Sequence, residues 1–300
     1  MSEYSNIYYP HNKTLFDTSP YDLTIDDILI EPSYGKFESR EDIFEDIRYL
    51  YTAPMDKVTD MSIWLKAIRE TTVVQPILSR QYIDDFLCWI GTNAEDTIRC
   101  MEIGWISIGT SDGDLNKVDN IIRTLKFKYP LFKHIKILID IACGHSSNCF
   151  RAINHIKQTC ISESIQPYIM SGSICTPEAA MDLVYAGASH LRIGLGGGAM
   201  CSTRLMTGIG IPNATAIWNI RNIMDKEFIN HNEFRKPFLI ADGGIRYPGD
   251  VAKFLACGAD GVMIGTAFAG CIDSPAEIVN GMKIQRGQAS YDFQMEHYGK

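Results

Sequence analysis

No run in this 300-residue chain approaches the roughly 18 consecutive apolar residues of a membrane-spanning helix. The opening residues, MSEYSNIYYPHNK, carry neither the basic start nor the apolar run of a secretory signal. Basic charge is also short: 28 Lys and Arg stand against 36 Asp and Glu, a net charge of −8. Long-range repulsion from phosphates argues against nucleic acid or a membrane surface as partner, so an anionic ligand needs a local site built from main-chain N–H groups. The nine cysteines are irregularly spaced and form no C-x-x-C pair. That excludes a regular disulfide framework and reads as reduced thiols, most of them small core residues, in a cytoplasmic compartment. Internal repeats, low-complexity tracts and linkers are absent too.

What is present is a rhythm. Eight short apolar, β-branched runs recur, at 51–54, 72–78, 105–109, 135–141, 167–171, 190–194, 237–242 and 260–265. Near-continuous apolar runs suit parallel strands buried on both faces. Helical patterns lie between them, at 58–70, 114–128, 147–160, 177–186, 213–229 and 248–257. Pro177 near a first turn and Gly187 after a last one mark helix ends. Eight strands alternating with helices predict a single-domain (β/α)8 TIM barrel over residues 23–300, preceded by an arm over 1–22.

In a barrel the chemistry sits in the loops that follow the strands. Here those loops include SRQY, DIACGHSS, SGSICT, GLGGGAMCSTR, DGGIRYPGD and GTAFAG. Gly243 and Gly244 allow main-chain N–H groups to approach an anion, and Gly265 and Thr266 open the next helix. Together they predict a phosphate cradle, with Asp242 at the rim placed to accept from ribose hydroxyls. Cys201 follows three glycines, and Thr203 lies two residues on. A thiol there is the candidate nucleophile, with Thr203 beside the reacting atom. Cys143, His145 and Cys149 are close in sequence, but their spacing is no standard zinc pattern. His190, on an expected strand, reads as structural.

Four segments, GLGGGAMCSTRLMTGIGIPNATAI, IADGGIRYPGDVAKFLACGADGVMIGTAFAG, YDLTIDDILIEPSYG and APMDKVTDMSIW, resemble the IMP dehydrogenase/GMP reductase family, in order and over about residues 21–300. The resemblance implies a (β/α)8 barrel, usually a homotetramer, acting on a purine nucleoside monophosphate. It implies Cys201 as the nucleophile on C2 of the purine and Thr203 as the hydroxyl that handles water or departing ammonia. Asp242 would hold the ribose, Gly243, Gly244, Gly265 and Thr266 the 5′-phosphate, and Gly287, Gln288 and Ala289 the purine edge. Asp140, Ala142, Arg80, Gly194 and Gly196 would border the nicotinamide cofactor, NADPH or alternatively NAD. Carbonyls of Gly196, Gly198 and Cys201 would hold a monovalent cation such as potassium.

Both family reactions pass through a thioimidate at C2. Dehydrogenases usually carry a regulatory module of about a hundred residues after the second strand, the size of a small domain. Here the second strand runs directly toward the third, which favours the reductase, GMP to IMP, over IMP dehydrogenase. The family's flap and acid/base segment are expected beyond the point that aligns with Lys300, which makes a catalytically impaired nucleotide-binding barrel a further alternative. Pro54, Ser173, Ala199 and Gln285 depart from residues common in relatives, and each alters a polar contact to the nucleotide.

Overall fold

The computed structural model describes residues 21–30, 50–70, 74–90, 92, 94–228, 236–285, 287 and 295. The expected arm therefore lies outside the described residues, Tyr21 and Asp22 excepted, as do Gln288 and Ala289. Nine parallel strands form one sheet: β1 (Leu50–Thr52), β2 (Val74–Gln75), β3 (Ile77–Leu78), β4 (Trp105–Ile108), β5 (His134–Ile139), β6 (Gln166–Ile174), β7 (His190–Ile193), β8 (Phe238–Asp242) and β9 (Gly261–Ile264). Their order is β2-β1-β9-β8-β7-β6-β5-β4-β3. The two outermost strands, β2 and β3, are the halves of the single run expected at 72–78, so the sheet closes into the eight-fold barrel through Pro76. Proline has no N–H for the ladder. The Thr52 hydroxyl accepts the next one, from Ile77, at 2.7 Å, and the Pro76 carbonyl accepts from Trp105 N–H at 2.9 Å.

Helices return the chain between strands. Asp60 caps Met61–Arg69 by accepting from Ile63 N–H. Ser111 and Asp114 form a reciprocal capping box on Asp112–Lys128, a device worth about 1 kcal/mol. Pro177–Ala186 starts after Thr176 and stops at Gly187, whose φ of 117° is left-handed. Two helices that the spacing did not single out, Ile83–Trp89 and Ala94–Ile103, fill the β3–β4 connection. Among the described residues no helix is long and apolar enough to cross a membrane.

Side chains alternate along each strand. Ile135, Ile137 and Ile139 of β5 and Leu191 and Ile193 of β7 face the helices. Leu138, Met170, Ile240, Trp105 and Met263 fill the barrel. This parity fixes what stands at the mouth. Asp140 follows Leu138 by two residues and Asp242 follows Ile240 by two, so both carboxylates project inward above the last apolar layer. β6 runs three residues further than expected, into SGSI, and its register to β7 shifts between Gly172 and Ile174. Ser173 is thus strand rather than loop. A short hairpin, Ile278–Val279 with Met282–Lys283, was not expected and lies apart from the barrel sheet.

Candidate active site

A cavity of about 780 Å³ opens at the carboxyl ends of the strands, toward the upper end of the usual range for small-molecule sites. It brings together Cys201, Thr203, Asp242, Gly243, Gly244, Gly265, Thr266 and Gly287 with Asp140, Ala142, Arg80, Gly194, Gly196 and Gly198.

The loop after β7 carries Cys201 exposed, its amide donating to the Gly198 carbonyl at 3.0 Å. Its thiol donates to Thr203 Oγ1 at 3.2 Å. Thr203 opens a five-residue helix, Thr203–Thr207. Arg204 holds the loop's two ends together: Nε donates to Leu195 O at 2.6 Å, and Nη2 to Ile211 O at 2.8 Å and Asn213 Oδ1 at 2.7 Å. Asn213 in turn donates to the carbonyls of Asp242 at 3.0 Å and Gly243 at 3.3 Å. The Cys201 loop is therefore tied to the loop after β8.

The glycines are accounted for by this packing. A Cβ on Gly197 would stand 2.4 Å from the Asn213 amide nitrogen, and one on Gly196, at φ 69°, 2.7 Å from Arg204 Cγ. Gly243, at φ 86°, would place a Cβ 2.6 Å from Gly198 N. Two main chains meet here with no room for side chains. Among the described residues the N–H groups of Gly243 and Gly244 have no acceptor, and the first N–H groups of a helix such as Thr266–Ala269 have none by geometry.

Deeper in the cavity lies Arg192 of β7, only 6% exposed. Its Nη1 donates to Asp140 Oδ1 at 2.8 Å and Nη2 to Ile141 O at 3.3 Å, while Nε stands 3.5 Å from Asp242 Oδ2. Burial opposes the guanidinium charge, but Asp140 and then Asp242 outweigh it and hold Arg192 above its ordinary pKa. Burial pushes the Asp242 carboxyl up; Arg192 pulls it down and Asp140 adds to the rise. Asp140 Oδ2 is buried without a hydrogen-bond partner among the described residues. Below this layer the His190 ring lies 4.7 Å from Trp105 and 5.4 Å from Phe238. Burial, aided by Lys136, pushes His190 down to about 3, so it is neutral packing.

Residues 102–300, two thirds of the chain, match the family described as the IMP dehydrogenase / GMP reductase domain. The chain belongs to that family. An inosine-5′-monophosphate dehydrogenase of Borreliella burgdorferi is 40% identical over 199 residues, 61% of this chain and 45% of the relative. One from Methanocaldococcus jannaschii is 37% identical over 171 residues, 53% of this chain and 33% of the relative. A GMP reductase of Leishmania donovani is 36% identical over 159 residues, 52% of this chain and 30% of the relative. The matched part thus spans less than half of each of these proteins. Members of the IMP dehydrogenase/GMP reductase family are purine-nucleotide oxidoreductases that use nicotinamide cofactors.

Sequence reasoning missed two residues of this IMP dehydrogenase/GMP reductase barrel. Arg192 carried a signal: a lone cation inside the apolar run HLRIG must find a buried anion. Asn213 carried none, being an ordinary helix-start residue. Cys143, His145 and Cys149 do not converge: Cys143 is exposed, His145 pairs with Asp182 at 2.8 Å, and Cys149 is buried against Ser171 at 3.0 Å.

Proposed function

We propose that this barrel is a purine-nucleotide oxidoreductase that converts GMP to IMP through a thioimidate between Cys201 and C2. The observation that carries the reading is the Cys201 thiol donating to Thr203 Oγ1 at 3.2 Å, in the same cavity as Asp242 and the amides of Gly243 and Gly244, which have no acceptor among the described residues. In this arrangement the glycine amides and the start of Thr266–Ala269 grip the 5′-phosphate, and Asp242 accepts from the ribose. Cys201 Sγ bonds to C2 as the bond to the exocyclic nitrogen breaks. The thiol proton passes through Thr203 Oγ1 to the leaving amine, which departs as ammonia. Cys201 later leaves C2 as thiolate and regains a proton from water.

A reduced nicotinamide dinucleotide, when bound, supplies the hydride that replaces sulfur at C2. Arg80, Asp140, Ala142, Gly194 and Gly196 line the cavity where they would hold it: among the described residues Asp140 Oδ2 is a buried acceptor without a partner, suited to a carboxamide N–H. Carbonyls of Gly196, Gly198 and Cys201 would hold a monovalent cation, and the Gly198 oxygen, which accepts one bond from Cys201 N–H, keeps a second lone pair for it. No step is derived through a cation.

The direction toward IMP rests on the β3–β4 connection, which holds a 3-10 turn at Arg80–Tyr82 and two helices with no inserted module. The likeness to proteins named inosine-5′-monophosphate dehydrogenase supports a second reading, NAD-dependent oxidation of IMP. A cytoplasmic homotetramer completes the proposal; nine free thiols suit a reducing compartment. Intact-mass measurement on protein mixed with GMP, and separately with IMP and NAD, tests it. A purine adduct lost in Cys201→Ser supports the reading, and the nucleotide that forms it decides the direction. No adduct from either mixture refutes the reading.

A further inference from the structure

We propose that Arg192 is a positioning residue that couples the nucleotide half of the cavity to the dinucleotide half, by sharing one guanidinium between Asp242 and Asp140. The inference rests on the assignment of those two carboxylates made under the proposed function. It adds a thermodynamic link between two ligands that otherwise bind to different strands.

The geometry is asymmetric. Toward Asp140 the guanidinium is engaged twice, through Nη1 to Oδ1 at 2.8 Å and through Nη2 to the adjoining Ile141 carbonyl at 3.3 Å. Toward Asp242 it is slack: Nε lies 3.5 Å from Oδ2 and, though buried, makes no hydrogen bond among the described residues. Two carboxylates and one guanidinium leave a net charge of −1 in a buried layer, with the carboxylates repelling each other. Ribose hydroxyls that donate to Asp242 supply the hydrogen bonds Arg192 does not give it. They spread that carboxylate's charge and leave the guanidinium committed to Asp140. Asp140 is then held at Oδ1 and presents its free Oδ2 as a fixed acceptor for a carboxamide N–H. Each ligand therefore prepares the layer for the other, and linkage requires the effect to be reciprocal.

The groups that face Asp242 are Arg192 of β7 and Asp140 at the end of β5. Cys149 faces Arg192 from the helix Ser147–Ser162. Removing the guanidinium leaves two carboxylates facing each other, and one then holds a proton to a higher pH. Nucleotide affinity in an Arg192 variant accordingly rises with pH over a range where that of the native protein is already flat.

Calorimetric titration of GMP and of NADP, each alone and in the presence of the other at saturation, tests this on the native chain and on Arg192→Gln, Arg192→Lys and Asp140→Asn. The native protein is expected to bind NADP at least about fivefold more tightly with GMP present, and GMP likewise with NADP present. Arg192→Gln is expected to bind each ligand but to lose the enhancement, and its GMP affinity to become pH-dependent. Arg192→Lys keeps the charge and recovers part of the enhancement. Asp140→Asn weakens NADP while sparing GMP. Full enhancement retained in Arg192→Gln overturns the proposal and leaves the proposed function standing. Failure of the native protein to bind GMP, and IMP titrated alongside it, overturns the proposed function, and this inference with it.

Discussion

Replacing Asn213 with Ala cuts the tie between the Cys201 loop and the Gly243–Gly244 loop without altering a residue of either. Three hydrogen bonds go: the charge-assisted one from Arg204 at 2.7 Å, and those to the Asp242 and Gly243 carbonyls at 3.0 and 3.3 Å. A bond to a charged group contributes about 1.5–3 kcal/mol, and the forked pair about 1 kcal/mol together. Arg204 keeps Leu195 and Ile211, so its own burial is not orphaned and the loss stays near 2–4 kcal/mol. At about 2 cal/mol/K per residue, a loss of that size lowers the Tm of a barrel this long by roughly 5 °C. The kinetic loss is larger in proportion. A nucleophile displaced by about 1 Å from its attack position loses about a hundredfold in rate. The assay is the rate of Cys201 adduct formation with GMP, read by intact mass at a temperature well below both melting transitions. GMP affinity is measured in parallel and should fall much less, since the glycine amides remain. Adduct formation at the native rate, with the Tm lowered as calculated, would show that the clamp stabilises the loop but does not aim the sulfur, and the positioning argument fails.

Thr203→Val removes the acceptor of the Cys201 proton and should slow ammonia release by a factor of about a hundred to ten thousand, with less effect on GMP binding; unchanged ammonia release in a rapid-quench measurement contradicts the role. Alkylation at neutral pH should mark the exposed Cys88, Cys143, Cys201 and Cys271 and spare the buried Cys100, Cys149, Cys160 and Cys257, and GMP should slow labelling of Cys201 alone, as peptide mapping would reveal. His190 is held neutral in the barrel but takes a proton near its ordinary value of 6.5 when unfolded. Its contribution to stability is therefore complete above about pH 6.5 and drains away as pH falls toward about 3. Circular dichroism should then find that His190→Phe moves the acid-unfolding midpoint to lower pH. Gly197→Ala, whose Cβ would press to 2.4 Å on the Asn213 amide, should reproduce the Asn213→Ala kinetics, whereas Gly249→Ala, which meets nothing within 4 Å, should leave them unchanged.

The strand and helix positions were legible because each depends on neighbours a few residues apart. Apolar runs mark strands buried on both faces, and Thr176, Pro177 and Gly187 bracket a helix by local capping chemistry alone. Asp242 was legible at the rim because it directly precedes the glycine loop, whereas Asp140 was reached only through the family resemblance; the loops after β7, β8 and β9 could be read as one cavity once a barrel was assumed. By contrast, the expected strand at 72–78 divides at Pro76, because closure of the ring, not local propensity, decides which partner each half takes. Ser173 moved from loop to strand for the same reason, its register being set by β7. The sharing of Arg192 between residues 52 positions upstream and 50 downstream, and the link from Arg204 through Asn213 to Asp242, depend on contacts that exist only after the barrel has closed. The chain's own pattern determined the elements and the chemical groups on offer. Which groups meet, and at what distance, was decided by the closed sheet, because side chains far apart in sequence interact only where the backbone carries them.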